Sequence, residues 1–98
     1  MTAYMVVFAR IKDRERFTKE YGMPTSEVIK KFGGEYLVRT PKVTAIEGSF
    51  GDGASAVISK WPNRDAIERF WNSPDYQPLK EVRQPLADCE VVIIESPV

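Results

Sequence analysis

Histidine is absent from all 98 residues. That absence removes the commonest general base, the commonest transition-metal ligand and the usual proximal haem ligand together. Cysteine is nearly absent too: Cys89 stands alone. No internal disulfide can form within the chain, and a reducing cytoplasm is the expected compartment. Because Cys89 opens an apolar strand, it reads as a small core residue rather than a nucleophile. An excess of charge of either sign is also missing, with 14 lysines plus arginines against 14 aspartates plus glutamates. Without a basic run or a basic balance, nucleic acid is not an expected partner. No apolar stretch approaches the ~20 residues that a membrane helix needs. The opening Met1-Thr2-Ala3-Tyr4 lacks a basic leader, so neither a membrane span nor a signal peptide is expected. The run from Gly48 to Gly53 has glycines but no following helix with lysine, so it is a turn and not a phosphate loop. No cluster has metal-ligand spacing. Neither metal nor cofactor is expected, and chemistry would rest on carboxylates, tyrosines, serines and arginines.

What is present suffices for one domain, residues 1–98, with a modest core. Hydrophobic residues make up 43% and charged residues 29%, which is ordinary for a globular chain. Tyr4 to Ile11 reads as a strand with Tyr4, Val6 and Phe8 on one side and Met5, Val7, Ala9 and Ile11 on the other. Asp13 is a good N-cap, and Phe17 and Tyr21 share a helical face. Gly22-Met23-Pro24 is expected to interrupt that helix, with Thr25 or Ser26 capping a second piece that Gly33-Gly34 closes. Glu35 to Thr40 is a strand. Pro41-Lys42 then turns into a further strand, Val43 to Phe50, joined through Gly51-Asp52-Gly53 as a hairpin to Ala54–Trp61. Asn63 caps a helix that buries Ala66, Ile67, Phe70 and Trp71. Ser73-Pro74 starts a single turn, and Pro78 pushes the next helix to begin afresh and run to about Gln84. Cys89 to Glu95 is the last strand. The order is the β-α-β-β-α-β pattern of a ferredoxin-like α+β sandwich with an antiparallel sheet.

Two helices cover one face of such a sheet, and the other face should be polar in a monomer. The first and last strands, through Val6-Val7-Phe8 and Val91-Val92-Ile93-Ile94, are apolar on both faces. A second copy packed sheet to sheet, a homodimer, is the economical cover.

The segments Phe32-Gly33-Gly34-Glu35-Tyr36-Leu37-Val38-Arg39, Ile46-Glu47-Gly48, Trp61-Pro62-Asn63-Arg64 and Trp71-Asn72-Ser73-Pro74-Asp75-Tyr76-Gln77-Pro78-Leu79, with Arg83 behind, carry a resemblance. The chain resembles the bacterial domain-of-unknown-function family 1330, of the dimeric α+β barrel superfamily. The resemblance spans nearly the whole chain. It implies two ferredoxin-like protomers whose sheets close into a barrel. It implies no particular reaction, since fold does not give function; superfamily relatives range from haem peroxidases to quinol monooxygenases and ligand-binding regulators.

Candidate site residues follow from their chemistry. Arg39 is a fork of donors for a carboxylate or other oxyanion, or else an ion-pair partner of Glu47 on the adjoining strand. Simple alternation puts Arg39 with Glu35 and Leu37, and Tyr36, Val38 and Thr40 opposite. Glu47 is either a general base or that structural partner. Tyr76 and Arg83 are two helical turns apart and share a face if the helix between them is continuous. Tyr76 is then a ligand or proton contact or a staple to the core, and Arg83 an anion anchor or a helix-end charge. Asp88 is another possible partner for Arg83. Ser73 is a cap, with no histidine to activate it. Together these residues predict a small-molecule pocket between the sheet and the 71–83 segment, walled by aromatics including Tyr36 and Trp71 and anchored by Arg39 and Arg83. Glu47 and Tyr76 are the candidate proton carriers of a cofactor-independent reaction on a small aromatic or carboxylate-bearing metabolite. The competing expectation is a non-catalytic ligand sensor or a purely structural dimer.

Overall fold

The computed structural model describes residues 1–97. Strands β1 (Thr2–Ile11), β2 (Glu35–Thr40), β3 (Ser55–Trp61) and β4 (Ala87–Ser96) form one antiparallel sheet in the order β2-β3-β1-β4. Helices α1 (Arg14–Arg16), α2 (Met23–Lys31), α3 (Arg64–Trp71) and α4 (Gln77–Arg83) complete the ferredoxin-like α+β fold. Among the described residues no helix is long and apolar enough to cross a membrane.

The first helical segment does not break at its proline. Between α1 and α2 the backbone widens into a π-helical stretch, Phe17–Gly22, and the Met23 amide donates to the Thr18 carbonyl five residues back. Pro24 has no amide to give to the turn before it. The widened turn carries the chain past that missing donor, and the helix runs on. Asp13 caps the start as expected, accepting from the Arg16 amide at 3.1 Å. Thr25 and Ser26 are not caps: both lie inside α2, with Thr25 buried and the Ser26 hydroxyl donating to the Met23 carbonyl at 2.7 Å. Gly33 takes φ +97° at the helix exit. A methyl on Gly34 would stand 2.6 Å from Ile29 Cγ2 and 2.7 Å from the Trp61 ring, so the second glycine lets helix and strand meet.

The expected strand Val43 to Phe50 does not form. Residues 41–54 are an irregular loop, closed on itself by the Val43 amide donating to the Ala54 carbonyl and the Gly53 amide donating to the Val43 carbonyl. The reason is topological: β3 is paired by β2 on one side and β1 on the other, which leaves it no free edge. The hairpin is thus β2–β3 with a long connection. β2 also carries a bulge, since Tyr36 pairs with Ser59 and Val38 with Ile58, leaving Leu37 as an extra residue.

Register fixes what each face presents. On the helix-covered face Ala3, Met5, Val7 and Ala9 of β1 neighbour Trp61, Ser59, Val57 and Ser55 of β3. On the open face Val38, Ile58, Val6 and Val92 stand side by side across all four strands. Val38, Val92 and Ile94 there are 43%, 49% and 52% exposed, and Phe50 lays its ring edge-on against Phe8 at 5.0 Å.

Candidate functional site

The helix-covered face is filled unevenly. Its Trp61 end holds Ala3, Met5, Trp61, Ile67 and Phe70 in one close cluster with Ile29 and Tyr76. Its other end carries small side chains, Val7, Ala9, Ser55, Val57, Cys89 and Val91, beneath the π-helical stretch. The space they leave is a cavity of about 360 Å³, within the range of small-molecule sites.

Three arginines reach this cavity from three elements. Arg39 comes from β2, and the bulge at Leu37 is the cause. It resets the alternation so that Tyr36, opposite Ser59, and Arg39, opposite Val57, share the inner face. Simple alternation puts them on opposite sides; the structure stacks the Arg39 guanidinium over the Tyr36 ring at 4.4 Å. Arg14, at the start of α1, donates to Ser55 Oγ at 2.7 Å, and Ser55 Oγ in turn donates to the Pro41 carbonyl at 3.0 Å. Arg83, in the last turn of α4, is 8% exposed and lies among aromatic faces, 5.9 Å from the Tyr21 ring centre and 5.8 Å from that of Trp71. Its Nε is buried without a hydrogen-bond partner, and so is Oγ1 of Thr25 on the same cavity wall.

Among the described residues no carboxylate lines the cavity. Among the described residues the ion pairs are Lys12–Asp88, Arg16–Glu20, Lys31–Asp75, Arg64–Glu68, Arg64–Glu95 and Arg69–Asp65, and none involves Arg14, Arg39 or Arg83. Two sequence alternatives are thereby decided. Glu47 sits exposed in the 41–54 loop, away from the cavity lining, and does not pair with Arg39; the adjoining strand that would have carried it does not exist. Asp88 pairs with Lys12 at 3.9 Å and not with Arg83.

Tyr76 is both staple and wall. It is 1% exposed, its ring lies 4.5 Å from Phe70 and 5.3 Å from Trp71, and its hydroxyl shares a 2.9 Å hydrogen bond with the Tyr21 hydroxyl. α4 starts at Gln77 and carries Pro78 in its first turn, where a proline costs nothing, so Arg83 follows Tyr76 on an unbroken helix and both reach the cavity. Ser73 is a cap: its hydroxyl accepts from the Tyr76 amide at 3.2 Å and donates to the Phe70 carbonyl at 2.8 Å. Burial pushes the phenols of Tyr21, Tyr36 and Tyr76 above their ordinary range. It raises the Cys89 thiol too, an effect that the positive charge of Arg83 opposes. These groups stay protonated at neutral pH. Cys89 is half-buried on the cavity floor.

The sequence reading passed over Arg14, Tyr21, Thr25 and Ser55. Arg14 follows an N-cap and looks like surface charge, Tyr21 looks like plain core beside Phe17, and Thr25 looks like a cap. Only the proline after Tyr21-Gly22 hinted that this turn is unusual. Among the described residues no three histidine, cysteine or acidic side chains stand close enough to hold a metal ion.

Solved structures share this architecture. A protein of unknown function from Rhodopseudomonas palustris superposes with a TM-score of 0.78 at 16% identity, over 97% of this chain and 82% of that one. SnoaB, a cofactor-independent oxygenase from Streptomyces nogalater, gives 0.72 at 15% identity over 99% and 94%. A dimeric ferredoxin-like protein of unknown function from Jannaschia sp. CCS1 gives 0.68 at 11% identity over 98% and 100%. At such identities the likeness is one of fold. No curated protein matches the sequence. The sequence profile of DUF1330, a domain of unknown function, matches residues 2–97, so the chain belongs to that family.

Proposed function

We propose that this protein binds a small organic anion, an aromatic or carboxylate-bearing metabolite, in the cavity between the sheet and the helices, and that it does so as a homodimer. One observation carries the ligand: three guanidinium groups line a cavity to which no carboxylate of the described residues contributes, and one of them is buried with an unpartnered Nε. A buried guanidinium N–H without a partner is costly, and an anion in the cavity removes that cost. The apolar floor and the rings of Tyr36, Trp71 and Tyr76 suit a flat aromatic body. The dimer is supported by the apolar row Val38–Ile58–Val6–Val92 on the uncovered sheet face. Sedimentation equilibrium should give twice the chain mass at micromolar concentration; a monomer refutes that half of the reading.

For the ligand, 2-naphthoate should raise the melting temperature and quench tryptophan emission, while its neutral amide does neither. Equal effects from acid and amide would sink the anion reading. Catalysis is a separate question. Glu47 lies outside the cavity and the cavity phenols are held protonated, which favours a binding module over an enzyme that abstracts protons. A cofactor-independent oxygenase role, which SnoaB's likeness suggests, would need a substrate acidic enough to ionise by itself beside the guanidinium groups. Dioxygen uptake with an acidic polyphenol, measured against the buffer rate, distinguishes the two.

A further inference from the structure

The cations do not sit together. Arg39 belongs to β2 and Arg83 lies against Cys89 of β4, and these are the two edge strands of the sheet. One inner-face row runs between the edges: Arg39, Val57, Val7, Val91. The next row runs Ser55, Ala9, Cys89 and ends under Arg83. Three strand spacings separate the edges, about 14 Å from outer strand to outer strand. The floor between is aliphatic. The cavity is therefore a trough across the sheet, with a positive group toward each end and apolar surface in the middle.

Each end is built from donors. At the β4 end stand the Arg83 Nε, free of any partner, and the Tyr21–Tyr76 pair. Two hydroxyls bonded to each other use one of their two protons, so the pair keeps one to give. At the β2 end Arg39 is held flat on Tyr36, and Arg14 is fixed nearby on Ser55. Among the described residues no carboxylate separates the two ends, so the arginines repel one another across a floor of low polarity. A ligand with a single anionic group answers one end only.

We propose that the cavity selects a rigid, aromatic-bodied ligand that is acidic at both ends, with two carboxylates or a carboxylate and an acidic phenol at opposite poles. One pole binds at Arg83 and the Tyr21–Tyr76 hydroxyls, and the other at Arg39 and Arg14. This assignment rests on the anion-binding reading above and adds its length and its second charge.

The test compares naphthalene-2,6-dicarboxylate, whose carboxylates lie at opposite ends of a rigid two-ring body, with 2-naphthoate. Both are titrated calorimetrically into the wild type, Arg39→Gln and Arg83→Gln at neutral pH. The dicarboxylate should bind about tenfold or more tightly than the monoacid, as one added charge-assisted contact predicts. In each variant that ratio should shrink to about twofold or less, because either lost guanidinium leaves one pole unanswered. Circular dichroism confirms that the variants are folded, and Arg39→Lys, which keeps the charge, should recover part of the ratio. Equal binding of the two acids by the wild type overturns the two-pole assignment and leaves the anion-binding reading standing. A ratio that survives in Arg39→Gln also overturns it. If folded wild type binds neither acid, the anion-binding reading falls with it.

Discussion

The two ends of the helix-covered face are built on the same strands and differ in side-chain size and in the element that covers them. Toward Trp61 the positions along β1 and β3 carry Ala3, Met5 and Trp61 with Ile67 and Phe70 above, and these residues are buried, Met5 and Phe70 reaching the edge of the cavity. Toward Ser55 the same strands carry Val7, Ala9 and Val57, and the covering element is a widened helical turn. One end therefore holds the fold and the other holds the cavity proposed as the site. Stability and binding should separate along the length of a single strand.

That separation can be broken at several points. The largest effect belongs to the packed end. Trp61→Ala removes a fully buried ring and leaves the Ser59 hydroxyl without the indole donor it now accepts from at 2.8 Å. It should cost about 3–5 kcal/mol in a urea titration. Next, Gly34→Ala forces a methyl against Ile29 and Trp61 and should cost about 1–3 kcal/mol by the same measurement. At the open end the sign of the evidence changes. Arg83→Met keeps the aliphatic stem and removes the buried charge, so stability should move by no more than about 1 kcal/mol while the preference for naphthalene-2,6-dicarboxylate over 2-naphthoate is lost. A large loss of stability there would make Arg83 a structural residue and erase the contrast between the ends.

The phenols give a pH signature of the open end. Their folded-state affinity for protons is raised by burial. Below the ordinary tyrosine range both folded and unfolded chains are protonated and the contribution to stability is fully present. As pH rises through about 10 the unfolded chain loses protons first, so stability falls. The urea midpoint should decline above that pH, and the decline should flatten in Tyr21→Phe/Tyr76→Phe. The smallest effect is expected at Glu47→Gln, exposed in its loop. Stability should change by less than about 0.5 kcal/mol, and 2-naphthoate binding should not change.

Much of this architecture is legible in the sequence because local chemistry and tertiary context agree. The caps at Asp13 and Asn63, the left-handed exit at Gly33 and the restart at Pro78 are short-range devices, and each appears where its residue type demands. The failures involve information the local sequence does not carry. Val43–Phe50 has strand-like composition, but whether a strand finds an edge depends on pairings made elsewhere in the chain. Pro24 announces a disturbance without saying that a widened turn, rather than a break, absorbs it. The site suffered most. Arg39 and Arg83 were identifiable as anion-binding types, while the company they keep depends on register and on a tertiary void that no pattern of residues displays.

Register has one more consequence. Leu37 is a phase shift of one residue in a strand whose sides alternate every two. Deleting it would leave Tyr36 opposite Ser59, Val38 opposite Ile58 and Arg39 opposite Val57, now as a regular strand, so Arg39 would keep its place on the cavity side. Pairing Leu37 regularly instead would turn Arg39 to the uncovered face, where a second copy is proposed to dock. The bulge thus lets β2 change by one residue at this point without moving the guanidinium, and insulates the proposed recognition from a single-codon deletion.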